Sequence, residues 1–148
     1  LWASRTLFRS GQNEGEIKFN MEKDKLDIIF EMQHKFDSDL AERRNLTGIS
    51  QAEWLQKETL AMISELAELI DEVNFKWWKN PLPIDERAVK GELVDILHFF
   101  VSMCLKMNMS SGELYELYIL KNKENFDRQN GLSEKAGYQS APNDKPGV

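Results

Sequence analysis

The stretch Glu92-Leu-Val-Asp95-Ile-Leu-His98-Phe99-Phe100-Val-Ser-Met-Cys104-Leu105 decides the architecture of this chain. Its apolar residues, Leu93, Val94, Ile96, Leu97, Phe99, Phe100, Val101, Met103, Cys104 and Leu105, fall on every side of an axis at helical spacing. A helix that is apolar all round is a buried one, so a buried helix is expected here. Glu92 and Asp95 interrupt it at i, i+3, one above the other on the face that Phe99 and Met103 continue. Carboxylates are rarely buried unless paired or bound to a metal. One solution is a salt bridge to a nearby base, Arg87 or Lys90. The other, preferred here, is a cation shared with further carboxylates.

Those further carboxylates stand in the preceding segment, as Glu65-x-x-Glu68. At about 100° per residue, Glu58, Glu65, Glu68 and Glu72 share an arc of roughly 80°. Leu60, Ile63, Leu66, Ala67, Ile70 and Val73 form a separate apolar arc. On its own such a stripe reads as a solvated face. Set against Glu92 and Asp95, it converges four carboxylates, an arrangement tolerable only around a cation. Hard divalent ions that prefer oxygen, Mg²⁺ above all, suit that donor set. Metal-assisted chemistry on a phosphate-bearing substrate follows.

Working outward, four helices are expected and no strand. Leu26, Ile29, Phe30, Phe36 and Leu40 set a first helix from Lys25 to near Arg44-Asn45. Ser50 and Glu53 have the form of a capping box opening a second helix, expected to run to about Trp77 before Pro81-Leu82-Pro83 breaks it. Asp85 caps the third, which carries on through Leu105. Ser110 and Glu113 open the fourth, ending near Gln129 with Gly131 at the position after the cap. Residues 21–131 then form one helical domain and 132–148 a flexible tail. Leu1 to Asn20 reads as a leader foreign to the fold: Glu14-Gly15-Glu16 is what a ribosome-binding site, GAAGGAGAA, would encode, and Met21 follows as a natural start.

Composition agrees with one soluble domain: 148 residues, 41% hydrophobic, 30% charged. A net charge of −6 argues against a general nucleic-acid binder, yet leaves nucleotides open, because metals held by acids neutralise phosphates locally. The lone cysteine, Cys104, excludes an internal disulfide and a cysteine-based zinc site, and reads as a buried small hydrophobe in a cytoplasmic protein. No apolar run is long enough for a membrane span.

These elements resemble a known family. Glu65-x-x-Glu68 followed by Glu92-x-x-Asp95 is similar to the signature of the all-α nucleoside triphosphate pyrophosphohydrolases, the MazG-like superfamily. Phe75-Lys76-Trp77-Trp78-Lys79, the Lys121-Asn122-x-x-Asn125-x-x-Arg128 pattern, Gln33, and Asp95-Ile96-Leu97-His98-Phe99-Phe100 narrow it to the dimeric all-α dUTP diphosphatases, over about Leu26 to Tyr138. The resemblance implies a four-helix bundle-like fold, a homodimer, and hydrolysis of dUTP and dUDP to dUMP by water attack at the α-phosphorus. It implies Mg²⁺, more than one ion, held by Glu65, Glu68, Glu92 and Asp95, with Glu65 as the base ahead of Glu68. Arg128 and Lys121 would meet phosphate oxygens, as would Lys76 and Lys79, which could equally be cations favoured at a helix C-terminus. Gln33 and Asn125 would read the uracil edge, Phe99 or Trp78 would stack on it, and Asp37 would meet the sugar 3′-hydroxyl. The bland alternatives are a surface Gln33, a hydrogen-bonded core His98 and a surface His34 and Lys123. One departure stands out: the family's Gly-Tyr pair soon after the Arg is displaced here to Gly137-Tyr138.

Two other readings compete. A pyrophosphohydrolase for dCTP or a damaged nucleotide would keep the metal site and change only base contacts. A helical dimerisation or regulatory module would leave the acids as solvated surface.

Overall fold

A computed structural model of the chain describes residues 22–138. The leader expected at residues 1–20, Met21 and the end of the tail from residue 139 lie outside the described residues. Four helices make the fold: α1 (Lys25–Arg43), α2 (Gln51–Glu72), α3 (Glu86–Lys106) and α4 (Ser111–Gln129). No strand occurs among the described residues, as the periodicity predicts.

The starts follow side-chain chemistry. Asp24 caps α1 and forms a reciprocal box with Asp27. Ser50, Asp85 and Ser110 accept backbone N–H groups in the first turns of α2, α3 and α4. The stops share one device. Gly131 after α4 has φ 69°, and Asn45, Asn74 and Asn108 after the other helices have φ 51–57°, the left-handed turn that glycine and asparagine adopt most readily. After α1, α3 and α4 the following N–H groups turn back on the last carbonyls, as in Leu46 to Ala41, Met109 to Cys104 and Leu132 to Asp127.

Asn74 accounts for a difference from the sequence reading. α2 ends at Glu72, not near Trp77. The Asn74 side chain accepts the Leu82 N–H at 3.0 Å and donates to the Leu82 carbonyl at 2.7 Å. This clamp closes the loop before the prolines act, so Phe75–Lys79 form a turn outside the helix.

α2 and α3 are the principal pair, α1 packs on α3, and α4 rests on α1. Gln51 donates to the Lys106 carbonyl and Thr59 faces Met103, so the start of α2 meets the end of α3 and the two run antiparallel. Phe30, Val101 and Cys104 form the buried core, lined by Leu26, Leu105, Met109 and Leu114. The fully buried α3 expected from its composition is not observed. Leu93 and Val94 are 52% exposed, Leu97 41% and Phe100 39%. α2 and α1 cover only part of its circumference, leaving Ile29, Met32 and Phe36 of α1 with Val94 and Leu97 of α3 around an open apolar cleft of about 450 Å³.

Candidate active site

The two acidic pairs meet where α2 passes α3. Glu65, Glu68 and Glu92 each bring a carboxylate oxygen within 4.8 Å of the others. Asp95, one turn further along α3, is exposed and stands outside this grouping. Desolvation, then the like charges of Glu68 and Asp95, push the Glu65 carboxyl above its ordinary value. Glu92 is raised in the same way, by desolvation first and then by Glu68, Glu65, Asp95 and Glu72. Glu72, one turn beyond Glu68, is thus a fifth acid acting on the cluster. The expected alternative, a salt bridge from Arg87 or Lys90, is not formed: Lys90 pairs with Glu86. Glu92 Oε2 is buried without a hydrogen-bond partner. An all-oxygen donor set, converging and short of a counter-charge, fits a hard divalent cation such as Mg²⁺.

Seven residues from the acids along both helices lies a cavity of about 240 Å³ between α1, α2 and α3. Phe36, Trp54 and Phe99 line it, with Gln33, Asp37, Glu58, His98 and Ser102. Its polar groups form one connected relay. Gln33, only 6% exposed, takes His98 Nδ1 at 2.7 Å on its carbonyl oxygen and donates from its amide nitrogen to Asp37 Oδ1 at 2.8 Å. Ser102 Oγ lies 2.6 Å from Asp37 Oδ2 and 2.7 Å from Glu58 Oε1. Lys106 Nζ faces Asp37 Oδ2 at 3.8 Å. Burial first, and the neighbouring Asp37 charge, raise the Glu58 carboxyl, against the opposing charge of Lys106.

Glu58, Ser102, Trp54 and Phe36 were not foreseen as site residues. In the sequence Glu58 belongs to an acidic stripe, and Ser102 sits inside an apolar run. A polar residue in such a run, on the face carrying Asp95, is the signal that could have found it. Gln33 is a buried residue, His34 is exposed, and His98 is exposed while bonded to Gln33. The remaining candidates lie elsewhere. Lys76 pairs with Asp71. Trp78 packs edge-on to Phe75 and Trp77 in the exposed turn that also carries Lys79. On α4, Lys121 and Arg128 both pair with Glu124, and the Arg128 guanidinium also reaches Asn125. No α4 residue lines the cavity. Arg128 also stacks over Tyr138 at 5.5 Å, so the displaced Gly-Tyr pair folds back onto the arginine.

Comparison with known proteins fits this geometry. The sequence model of the dUTPase family matches residues 25–113, which take in α1, α2, α3 and the acidic cluster. A dCTP pyrophosphatase of Enterobacteria phage T4 is 29% identical over 150 residues, covering 80% of this chain and 88% of that protein. A dCTP pyrophosphatase of Enterobacteria phage LZ5 is 36% identical over 85 residues, 57% of this chain and 48% of that protein. A DNA replication protein of phage T4 is 27% identical over 144 residues, with 37% of its length spanned. No solved structure matches. Since the family model spans more than half of its 148 residues, the chain belongs to the dUTPase family and is an all-α nucleotide diphosphohydrolase.

Proposed function

We propose that this protein hydrolyses dUTP to dUMP and pyrophosphate, and dUDP to dUMP and phosphate, in a Mg²⁺-dependent reaction that keeps uracil out of DNA. One observation carries the reading: an aromatic cavity with an amide in its wall shares the α2–α3 seam with the carboxylate cluster. Glu58 of the cavity and Glu65 of the cluster are seven residues apart, about 10 Å along the helix. That is the reach of a deoxyribose and its first phosphate, so a base in the cavity sets its phosphates at the acids.

Glu65, Glu68 and Glu92 would hold the metal, with Asp95 beside them. Bound Mg²⁺ supplies charge neutralisation on the phosphate oxygens. In this scheme Glu65 orients the attacking water and takes its proton. Phe99 and Trp54 bound the faces of the base and Gln33 meets its edge. Lys76, Lys79, Lys121, Asn125 and Arg128, with Trp78, are assigned to the rim around the phosphates and base. The acidic partners of Lys76, Lys121 and Arg128 would be exchanged for ligand. The exposed apolar cleft between α1 and α3 supports a homodimer, since contiguous apolar surface of this kind marks an interface. Cytoplasmic residence goes with a substrate drawn from the nucleotide pool.

A second reading, dCTP as the substrate, is favoured by the names of the two phage pyrophosphatases. Steady-state rates with dUTP, dUDP, dCTP, dTTP and dATP, with products identified, separate the two. Pyrophosphate release fastest from dUTP supports the first reading, and fastest from dCTP the second. No turnover of any of them with Mg²⁺ present would sink both.

A further inference from the structure

The relay behind the cavity does more than fill space. Gln33 can present its amide in two orientations, and they invert the order of donor and acceptor offered to a base. His98 Nδ1, 2.7 Å from the amide oxygen, can donate or accept by tautomer and so selects neither, whereas Asp37 Oδ1, 2.8 Å from the amide nitrogen, is acceptor-only as a carboxylate and therefore admits just one of them. Hydrogen counting shows why Asp37 is the carboxylate. The Ser102 hydroxyl has one hydrogen, yet lies 2.6 Å from Asp37 Oδ2 and 2.7 Å from Glu58 Oε1. One of those acids therefore carries a proton. Asp37 accepts from Gln33 and faces Lys106, whereas Glu58 is 8% exposed with Oε2 lacking any partner. The proton belongs on Glu58, which donates to Ser102, which donates to Asp37.

We propose that Asp37 is a positioning residue for base selection: fixed by Ser102 and Glu58, it locks the Gln33 amide so that the cavity accepts one pyrimidine edge and rejects the inverted one. Each Asp37 oxygen already accepts one hydrogen bond, Oδ1 from Gln33 and Oδ2 from Ser102, which gives this residue a role apart from the sugar contact that the resemblance implies. The chemistry is simple. Position 4 of uracil carries an acceptor and N3 a donor; cytosine has the reverse. A locked amide presents one order of donor and acceptor and can match only one of these edges, whereas an amide free to turn over serves both. The inference rests on the proposed nucleotide reading, with the base in this cavity.

The test is the ratio of kcat/KM for dUTP to that for dCTP, in the wild type and in Asp37→Asn. Asparagine can donate or accept toward Gln33, so the lock is lost while shape is kept. The expected result is a ratio that moves at least about tenfold toward unity, the worth of one mispaired buried hydrogen bond, mostly by improved use of the poorer base. Ser102→Ala, which unpins Oδ2, moves the ratio in the same direction by less. A 2′,3′-dideoxy-UTP arm reports any sugar contact. If Asp37→Asn slows dUTP and dCTP equally and its effect vanishes with the dideoxy substrate, Asp37 touches sugar and the inference is overturned. An unchanged ratio with both substrates, or a wild type without preference between them, overturns it too. Wild-type turnover of neither substrate instead removes the proposed function itself.

Discussion

Replacing Glu58 by glutamine should stabilise this protein at alkaline pH and do little in acid. Glu58 is a buried carboxyl facing Asp37 and Ser102, with His98 and Lys106 on the same stretch of α3. Folding raises its proton affinity above the ordinary value of 4.5, through burial first and the Asp37 charge second. The folded state therefore holds more proton than the unfolded chain in the window from 4.5 up to the folded pKa. Stability falls as pH rises through that window and stays low above it. Each tenfold gain in proton affinity on folding costs about 1.4 kcal/mol above the folded pKa. A buried polar group without adequate partners costs about 1–3 kcal/mol by mutational measure. Glutamine keeps an N–H for Ser102 and never ionises, so a gain of about 1–2 kcal/mol is expected at pH 8. For a chain of this size that raises Tm by roughly 2–8 °C. The assay is thermal or urea unfolding of both proteins from pH 4 to 8, without metal. The gap should open with rising pH and close near pH 4. A constant gap across the range, or a less stable variant at pH 8, would refute the assignment of the proton to Glu58.

Three further outcomes are expected. Glu65→Gln and Glu92→Gln should each lower Mg²⁺-dependent turnover at least about a hundredfold with helicity by circular dichroism unchanged; near-wild-type rates would remove the cluster from the chemistry. Asn74→Ala should lose about 1–2 kcal/mol by denaturant unfolding, since alanine strains at φ 55° and drops both bonds to Leu82, whereas Asn74→Gly should recover the strain alone. Leu97→Glu should reduce the sedimenting species to one chain; an unchanged mass, or a monomeric wild type, would argue that the α1–α3 cleft is not the dimer face.

What the sequence disclosed, and what it hid, has a physical division. The starts of α2, α3 and α4 were readable because Ser50, Asp85 and Ser110 act locally, on N–H groups within a few residues, and that of α1 from its apolar spacing, with the Asp24 cap emerging only in the structure. The end of α2 differs from the sequence expectation because proline is a local breaker, whereas the role of Asn74 depends on meeting Leu82 across the loop. The acidic cluster was legible because i, i+3 spacing fixes a face, and two such faces on adjacent helices have few ways to meet. Full burial of α3 was not, because composition gives the affinity for a neighbour and not how much neighbour the chain provides. The α4 cations illustrate the same limit: spacing puts Lys121, Asn125 and Arg128 on one face, but Glu124, on the same helix, is what Lys121 and Arg128 meet.

The seam between α2 and α3 suggests how one arrangement serves two purposes. Glu58, Glu65 and Glu72 recur every seventh residue on α2, and Asp95 and Ser102 do so on α3, the repeat that keeps positions on a shared face of packed helices. Residues at matching levels therefore meet the same environment, apart from what stands opposite. At the Glu58 level the opposite residue is a hydroxyl, which can donate to one acid and accept from another, so a carboxyl raised by burial can share in the proposed lock. At the Glu65 and Glu68 level the opposite residues are Glu92 and Asp95, which can only repel. Two turns of helix thus separate a carboxyl that faces a hydroxyl from carboxyls that face other acids, where the proposed cation would supply the missing counter-charge. The residue across the seam, and not the glutamate itself, decides which of the two it becomes.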